Sequence, residues 1–175
     1  MTAGPRPVAF PEAGSGVRLL DGDVLDALSG EARRRPRLRA NANLHAMEEP
    51  VHRLLNAVEP GTYIRPHRHL EPPKAETVVV VRGALGLVLL EADGRVSATS
   101  TLRAGPDGTF DAEVPAGVLN TFVALREGTV FFEVKEGPYA APSGGDAATF
   151  APAEGEPGAA AFEASLRALF GATAP

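Results

Sequence analysis

The chain contains no cysteine, which excludes disulfide scaffolds, thiolate metal sites and cysteine nucleophiles. It also lacks a long apolar run, since the longest, over 83–90, is far too short to cross a bilayer. Basic residues are in the minority, with 17 Lys and Arg against 22 Asp and Glu, and the net charge of -5 argues against nucleic acid as a partner. No secretory signal begins the chain, so we expect a cytoplasmic protein without a membrane partner.

Glycine and proline are abundant, with 19 and 16 residues among 175, and this excess predicts many turns and therefore many short strands. We expect one domain with short appendages. A flexible arm covers 1–20, a β-barrel domain with a leading helix covers 21–156, and a C-terminal helix and tail cover 157–175. Asp21 or Asp23 can cap the leading helix, which Pro36 ends, and an apolar stripe predicts the last helix over 159–170.

The middle of the chain carries the signals of an antiparallel β protein. Asp93-Gly94 is a strong hairpin signal between two apolar runs. Short strands at nearly regular spacing, with turns between them, favour a sandwich or a small barrel. The predicted strands or extended segments are 39–46, 51–58, 62–69, 77–82, 84–90, 96–102, 121–125 and 130–135.

Two polar patterns precede these strands. Five arginines lie between Glu31 and Arg39, where they form either a solvated helix end or an anchor for an anionic ligand. Next, the alternation over 39–46 places Arg39, Asn41, Asn43 and His45 on one face of a strand. That face either meets water or forms the polar wall of a ligand pocket, in which case Arg39, Asn41 and Asn43 are ligand contacts.

The segment with the clearest chemical signal is His67-Arg68-His69, followed by Glu76. His-x-His on an extended strand projects both imidazoles to one side, about 7 Å apart along the backbone. An antiparallel return would bring the Glu76 carboxylate to the same place. Two imidazoles and one carboxylate suit a borderline divalent metal and leave positions free for water or substrate. The alternative is two solvated histidines in a proline-rich loop.

These residues carry a resemblance to a known family. The spacing Gly61-x5-His67-x-His69-x6-Glu76-x6-Gly83 resembles the first cupin motif, with a slightly longer gap before the glutamate than usual, and 115–120, Pro-Ala-Gly-Val-Leu-Asn, resembles the second. More narrowly, the chain resembles the WbuC-type cupin-fold metalloproteins over roughly 20–156. The strings that carry this likeness are Asn-Leu-His at 43–45, Arg-Leu-Leu-Asn-Ala at 53–57, Pro-Gly-Thr-Tyr-Ile-Arg-Pro-His-Arg-His at 60–69, Phe-Glu-Val-Lys-Glu-Gly-Pro-Tyr at 132–139 and Ala-Pro-Ala-Glu-Gly at 151–155.

The resemblance implies a mainly β fold, a single cupin barrel, also called a double-stranded β-helix or jelly roll. The sequence pattern adds short helices at both ends of this barrel. It implies one divalent metal ion, Fe, Mn, Zn or Ni, in the barrel mouth. Members of this family sit near surface-polysaccharide biosynthesis, which implies a sugar-derived ligand, but the family supplies no settled reaction.

One position departs from the pattern, because the fourth cupin ligand is normally a histidine and this chain has Asn120 there. An amide oxygen is a poor ligand beside imidazole. Three hypotheses follow: His67, His69 and Glu76 hold the metal alone with Asn120 supporting them, Asn120 ligates weakly, or the site has lost its metal and become a plain pocket. His45, or less readily His52, could supply the missing imidazole.

Strand alternation gives first expectations for the ligand. If His67 and His69 point inward, Tyr63 and Arg65 share their face, and an inward arginine favours a carboxylate or phosphate. We therefore expect a small anionic or sugar-derived ligand, in a homodimer that covers the barrel's edge strands. Whether a reaction is catalysed stays open, and one alternative is a metal-free, sugar-nucleotide epimerase-like enzyme with His67 as base and Tyr63 as its partner.

Overall fold

The structure is a computed structural model that describes residues 8–12, 14–105, 108–141 and 144–171. Parts of the predicted arm, at 1–7 and 13, and of the predicted tail, at 172–175, lie outside these residues. No helix in the described ranges has both the length and the apolar content needed to cross a membrane.

The leading helix α1 spans Gly22–Arg34 and is held by its cap and by its buried face. Asp21 is the N-cap, since its side chain accepts a hydrogen bond from the Val24 backbone N–H. Val24, Leu28 and Ala32 are buried against residues of the first two strands. The sequence therefore predicted this helix and one of its two proposed caps.

Eight strands form two antiparallel sheets. The larger has the order β1-β2-β8-β3-β6 and the smaller the order β5-β4-β7. The strands are β1 (Arg39–Asn43), β2 (Val51–Val58), β3 (Glu76–Arg82), β4 (Ala84–Leu90), β5 (Val96–Arg103), β6 (Asp111–Val114), β7 (Asn120–Ala124) and β8 (Thr129–Glu136).

The extended segment 62–69 completes the smaller sheet. His67 and Asn120 exchange both backbone hydrogen bonds, at 2.9 Å each, so the segment lies beside β7. The two sheets then have the orders β2-β8-β3-β6 and 62–69-β7-β4-β5, with β1 added at one edge. This is the strand order of an eight-stranded jelly roll, which confirms the predicted fold class.

The main core lies between the two sheets. Its largest members come from both of them: Val58, Val78, Val80, Leu85, Leu87, Leu102, Phe122 and Phe131. The second helix, α2 (Ala159–Ala168), packs Leu166 against Val88 and Val123, on the outer face of the smaller sheet. The space between the two sheets is thus filled largely by apolar side chains.

The strand β6 is the one element that the sequence did not predict. It has four residues, Asp-Ala-Glu-Val, of which two are exposed, and turns flank it. It is a strand because β3 pairs with it from Glu76–Val114 to Val79–Asp111. Pairing with a strand distant in the chain, and not a local sequence pattern, therefore makes this segment a strand.

We predict that Gly83→Ala destabilises the protein by roughly 2–4 kcal/mol. Gly83 joins β3 to β4 at φ +79°, and a Cβ there would lie 2.5 Å from Thr129 Oγ1 and 2.9 Å from Thr129 Cα. Thr129 cannot retreat easily because its hydroxyl bonds both the N–H and the carbonyl of Ala84. Urea denaturation measures the loss.

The matched control is Gly158→Ala, at φ +96° with no atom within 4 Å of the added methyl group. It carries the backbone strain without the crowding, so we expect a loss of about 1 kcal/mol. Equal losses for the two variants would contradict the role assigned to Thr129.

Candidate metal centre

The two sheets bring together three candidate metal ligands, His67, His69 and Glu76. Each offers one ligand atom, and these three atoms lie within 4.8 Å of one another. The two histidines belong to the segment beside β7, whereas Glu76 is the first residue of β3 in the other sheet. The jelly roll therefore brings together the residues that the sequence separates.

His67 is oriented by backbone groups. Its own N–H and carbonyl pair with Asn120, and its ring Nδ1 lies 3.1 Å from the Arg65 carbonyl oxygen. A proton on Nδ1 makes that hydrogen bond and leaves the lone pair on Nε2. His67 is thus held in the tautomer that suits a metal ligand.

Glu76 lies between an imidazole and an ammonium group. It is 4% exposed, and its Oε1 lies 2.8 Å from His69 Nε2 and 3.0 Å from Lys135 Nζ. Lys135 is directly opposite Glu76 in the β3–β8 register, and its ammonium also lies 2.7 Å from Glu133 Oε1. Glu76 therefore has two internal partners.

These contacts set the charge state of the pair. Burial by itself would raise the pKa of Glu76, but the His69 hydrogen bond and the charges of Lys135, His67 and His69 bring it to about 2. Burial would lower the pKa of Lys135, but Glu133 and Glu76 raise it above its ordinary value. At neutral pH the site therefore holds a carboxylate and an ammonium in contact.

Asn120, at the position of the usual fourth cupin ligand, is 1% exposed. Its Nδ2 donates to the Val118 carbonyl at 3.2 Å and, more weakly, to the His67 carbonyl at 3.4 Å. Its Oδ1 is buried without a hydrogen-bond partner. An orphaned buried carbonyl is costly, and either a weak metal bond or a donor on a ligand would satisfy it.

The residues fit a divalent metal. Bonds of 2.0–2.2 Å place ligand atoms about 3–4 Å apart, so small shifts of the three side chains suffice. His69 Nε2 and Glu76 Oε1, now 2.8 Å apart, would move away from each other. Two imidazoles and a carboxylate suit Fe, Mn, Zn or Ni, and the orphaned Asn120 oxygen adds a weak fourth donor. Lys135 opposes the fit, since its charge already compensates Glu76.

A cavity of about 240 Å³ adjoins the three residues. Two of them, His67 and Glu76, line it, as do the predicted ligand contacts Arg39 and Asn41. Asn43 is exposed and bonds Asn41 through its side chain. The remaining lining residues are Arg35, Arg37, Ala40, Asn56, Val58, Ile64, Phe122, Phe131, Glu133 and Lys135.

Tyr63 and Arg65 lie elsewhere. The Tyr63 hydroxyl donates to the Pro152 carbonyl at 2.7 Å, and the Arg65 guanidinium donates to the Ala148 carbonyl at 2.7 and 3.1 Å. Ile64 and His67 both line the cavity although they are three positions apart, so the strict alternation is interrupted between them. Tyr63 is thus not placed beside His67 in that cavity.

His45 is engaged with His52, outside the group of three. Their rings stack with centroids 4.0 Å apart and an interplanar angle of 15°. His45 Nδ1 lies against the backbone of Arg53, and His52 Nε2 is 3.1 Å from the Met47 carbonyl oxygen. Both rings are therefore occupied by backbone and stacking contacts.

Sequence reasoning gave too little weight to Lys135 and passed over Glu133. Phe131 is a core residue on β8, and strict alternation from it places Glu133 and Lys135 on the same inward face. Two charged residues on the buried face of a strand are unusual. That pattern was a usable signal for a polar site.

The chain is similar to known proteins over part of its sequence and in its fold. A family model described as a domain of unknown function (DUF6016) matches residues 20–102. No curated protein matches the chain. Among solved structures, a conserved protein of unknown function from Streptococcus pyogenes (SPY1581) has a TM-score of 0.51 and 15% identity, covering 79% of this chain and 100% of its own.

Two further structures show weaker likeness. KdgF from Halomonas sp. has a TM-score of 0.47 and 17% identity, over 61% of this chain and 84% of that chain. An oxalate decarboxylase variant from Bacillus subtilis has a TM-score of 0.47 and 17% identity over 61% of this chain, and the match spans 27% of the decarboxylase.

The strand order and the likeness to the Streptococcus pyogenes protein together define a jelly-roll fold. Within it, His67, His69 and Glu76 form a group that could hold a metal ion.

We predict that Glu76→Gln removes part of the acid sensitivity of the metal-free protein. The pKa of Glu76 falls from 4.5 to about 2 on folding, so the unfolded chain binds this proton first. The resulting stability, on the order of 3 kcal/mol, is complete above about pH 5 and is lost as the pH falls toward 2. Urea denaturation between pH 6 and pH 3 in the presence of a chelator measures it.

The control is Glu127→Gln, an exposed carboxylate in the turn before β8. We expect it to keep the wild-type pH dependence, whereas Glu76→Gln flattens it. Parallel curves for all three proteins would contradict the depressed pKa of Glu76.

Proposed function

We propose that this protein binds one divalent metal ion through His67, His69 and Glu76 and takes a small anionic ligand into the adjoining cavity. The observation that carries the proposal is the convergence of two imidazoles and one carboxylate, from opposite sheets, within 4.8 Å. The hydrogen bond from His67 Nδ1 to Arg65 supports it, because it frees Nε2 for ligation.

A bound divalent ion would supply a Lewis acid, or would activate water or dioxygen. The chain's own residues would do the rest. Arg65 and Asn120 hold His67 in place through the backbone, and Lys135 balances the Glu76 charge. The buried Asn120 amide oxygen, which has no partner in the free protein, would accept a hydrogen bond from a ligand or make a weak bond to the ion.

The charge around the cavity supports an anionic ligand. Arg35, Arg37 and Arg39 line it together with Lys135, against the carboxylates of Glu76 and Glu133. Arginine forks suit carboxylate and phosphate groups. A sugar-derived ligand and a link to surface-polysaccharide biosynthesis have the WbuC-type resemblance as their support, and the arginines favour a ligand of that kind only if it carries an acid group.

A second candidate function is a metal-free small-molecule binding module. The contact between Lys135 Nζ and Glu76 Oε1, at 3.0 Å, favours it, because the ammonium already provides the charge that a metal would bring. Asn120 in place of the usual histidine points in the same direction.

We predict one metal ion per chain in protein purified without chelator or nickel resin. His67→Ala should weaken binding by about 100-fold or more, since it removes a ligand that the backbone holds in place. Elemental analysis gives the stoichiometry, and calorimetric titration with Mn²⁺ and Zn²⁺ gives the affinity.

His45→Ala is the matched control, a histidine outside the group of three, and should keep the wild-type affinity. A stoichiometry far below one that added metal does not raise would replace the metal proposal with the metal-free candidate.

We predict that Lys135→Met strengthens Mn²⁺ binding by about tenfold, because it removes a cation that competes for Glu76. Without metal the same variant should be destabilised by about 3 kcal/mol, since Glu76 loses a partner. Thermal melts with and without Mn²⁺ measure both effects.

Lys74→Met is the control for net charge, because Lys74 and Lys135 are the two lysines of the chain and Lys74 bonds the Pro138 carbonyl instead of a carboxylate. If Mn²⁺ fails to restore the stability of Lys135→Met, the metal-free candidate is favoured.

A further inference from the structure

The cavity beside the metal centre has a second cluster of charges at its rim. Arg37 and Arg39 line the cavity from the strand β1 and the turn before it. Both donate to one carboxylate, that of Glu154, which comes from the segment before α2. Arg37 contacts both Glu154 oxygens through Nε and Nη2, and Arg39 Nη2 is 2.9 Å from Oε2.

This cluster has more positive than negative charge. Two guanidiniums share one carboxylate, while the neighbouring Arg35 has its own partner in Glu31. Arg39 is held in place, since its Nη1 also donates to the Tyr63 carbonyl at 2.5 Å. Arg39 is thus a fixed fork, and the more exposed Arg37 supplies a second one, so that a carboxylate can bond both.

The Glu154 side chain can leave without disturbing its backbone. Residues 153–156 form a turn in which the Glu156 N–H donates to the Ala153 carbonyl at 3.1 Å, and Gly155 has φ +83°. The Ala153 N–H donates to the Glu156 carboxylate at 2.7 Å. Glu154 occupies the second position of this turn, so rotation of its side chain breaks none of these bonds.

The segment just before the turn is anchored more firmly. Its carbonyls at Ala148 and Pro152 accept hydrogen bonds from Arg65 and from the Tyr63 hydroxyl. The anchored segment presents Glu154 to the arginines, and the half-exposed side chain at the tip is the part free to move. Tyr63 and Arg65 therefore anchor this segment through hydrogen bonds to its backbone.

We propose that Arg37 and Arg39 form the seat for the carboxylate group of the ligand, and that Glu154 occupies this seat until the ligand displaces it. This inference rests on the proposed function, since it names where the anion of that cavity binds. The ligand class is a small carboxylic acid whose remaining part extends into the 240 Å³ cavity toward His67 and Glu76.

An internal competitor lowers the apparent affinity by the fraction of molecules whose seat is open. Glu154→Gln keeps the shape of the side chain and removes its charge, so the seat opens. We expect malonate to bind this variant about tenfold more tightly than the wild-type protein. Adding Arg37→Gln to Glu154→Gln should abolish that gain.

Calorimetric titration of full-length, chelator-treated protein with malonate tests the proposal, and thermal melts check that each variant folds. Glu127→Gln is the control for net charge, and malonamide, the neutral diamide of the same shape, is the control for the probe. We expect tighter binding of malonate, but not of malonamide, and only in the Glu154→Gln variant.

Three outcomes would overturn the seat: no malonate binding by Glu154→Gln, equal gains in Glu127→Gln, or an equal gain for malonamide. The test is independent of the metal. If the protein binds one metal ion per chain but Glu154→Gln does not change malonate affinity, the seat is refuted and the proposed function stands. If Glu154→Gln binds malonate more tightly in a protein that binds no metal, the seat stands and the metal-binding function is refuted.

Discussion

The buried carboxylate of Glu76 determines the arrangement of the polar side chains around it. Glu76 is 4% exposed, and a buried charge is tolerated only when other groups compensate it. His69 and Lys135 do so, and Lys135 in turn contacts Glu133, which accepts a hydrogen bond from Asn56. The compensation therefore extends across β3, β8 and β2, and it fixes which side chains face the cavity.

Both charged clusters of this region carry internal partners. Glu76, the acidic member of the candidate metal centre, contacts the Lys135 ammonium, and the arginines at the rim contact the Glu154 carboxylate. A metal ion or an anion that binds here exchanges one partner for another. Because of these internal partners, neither cluster of the unliganded protein is left without compensating charge. The ligand has to displace the internal partner, and this lowers its apparent affinity.

Much of the fold followed from local patterns. Two strands, 51–58 and 84–90, have the predicted bounds, and most of the others differ by one or two residues at an end. Alternation failed between Ile64 and His67, which line the same cavity, whereas Tyr63 and Arg65 pack on the C-terminal segment. The strand β6 was not predicted, because its pairing with β3 creates it.

The sequence by itself determined a helix cap at Asp21 or Asp23, most of the strands and the pattern of two histidines and one glutamate, because each depends on neighbours a few residues apart. Tertiary structure alone decided that Lys135 faces Glu76, that Glu154 reaches Arg37 and Arg39, and that His45 stacks on His52. The first two of these contacts join strands and segments distant in the chain, and the third joins His45 to a residue of β2. Their geometry depends on strand register and sheet packing, which no local pattern encodes.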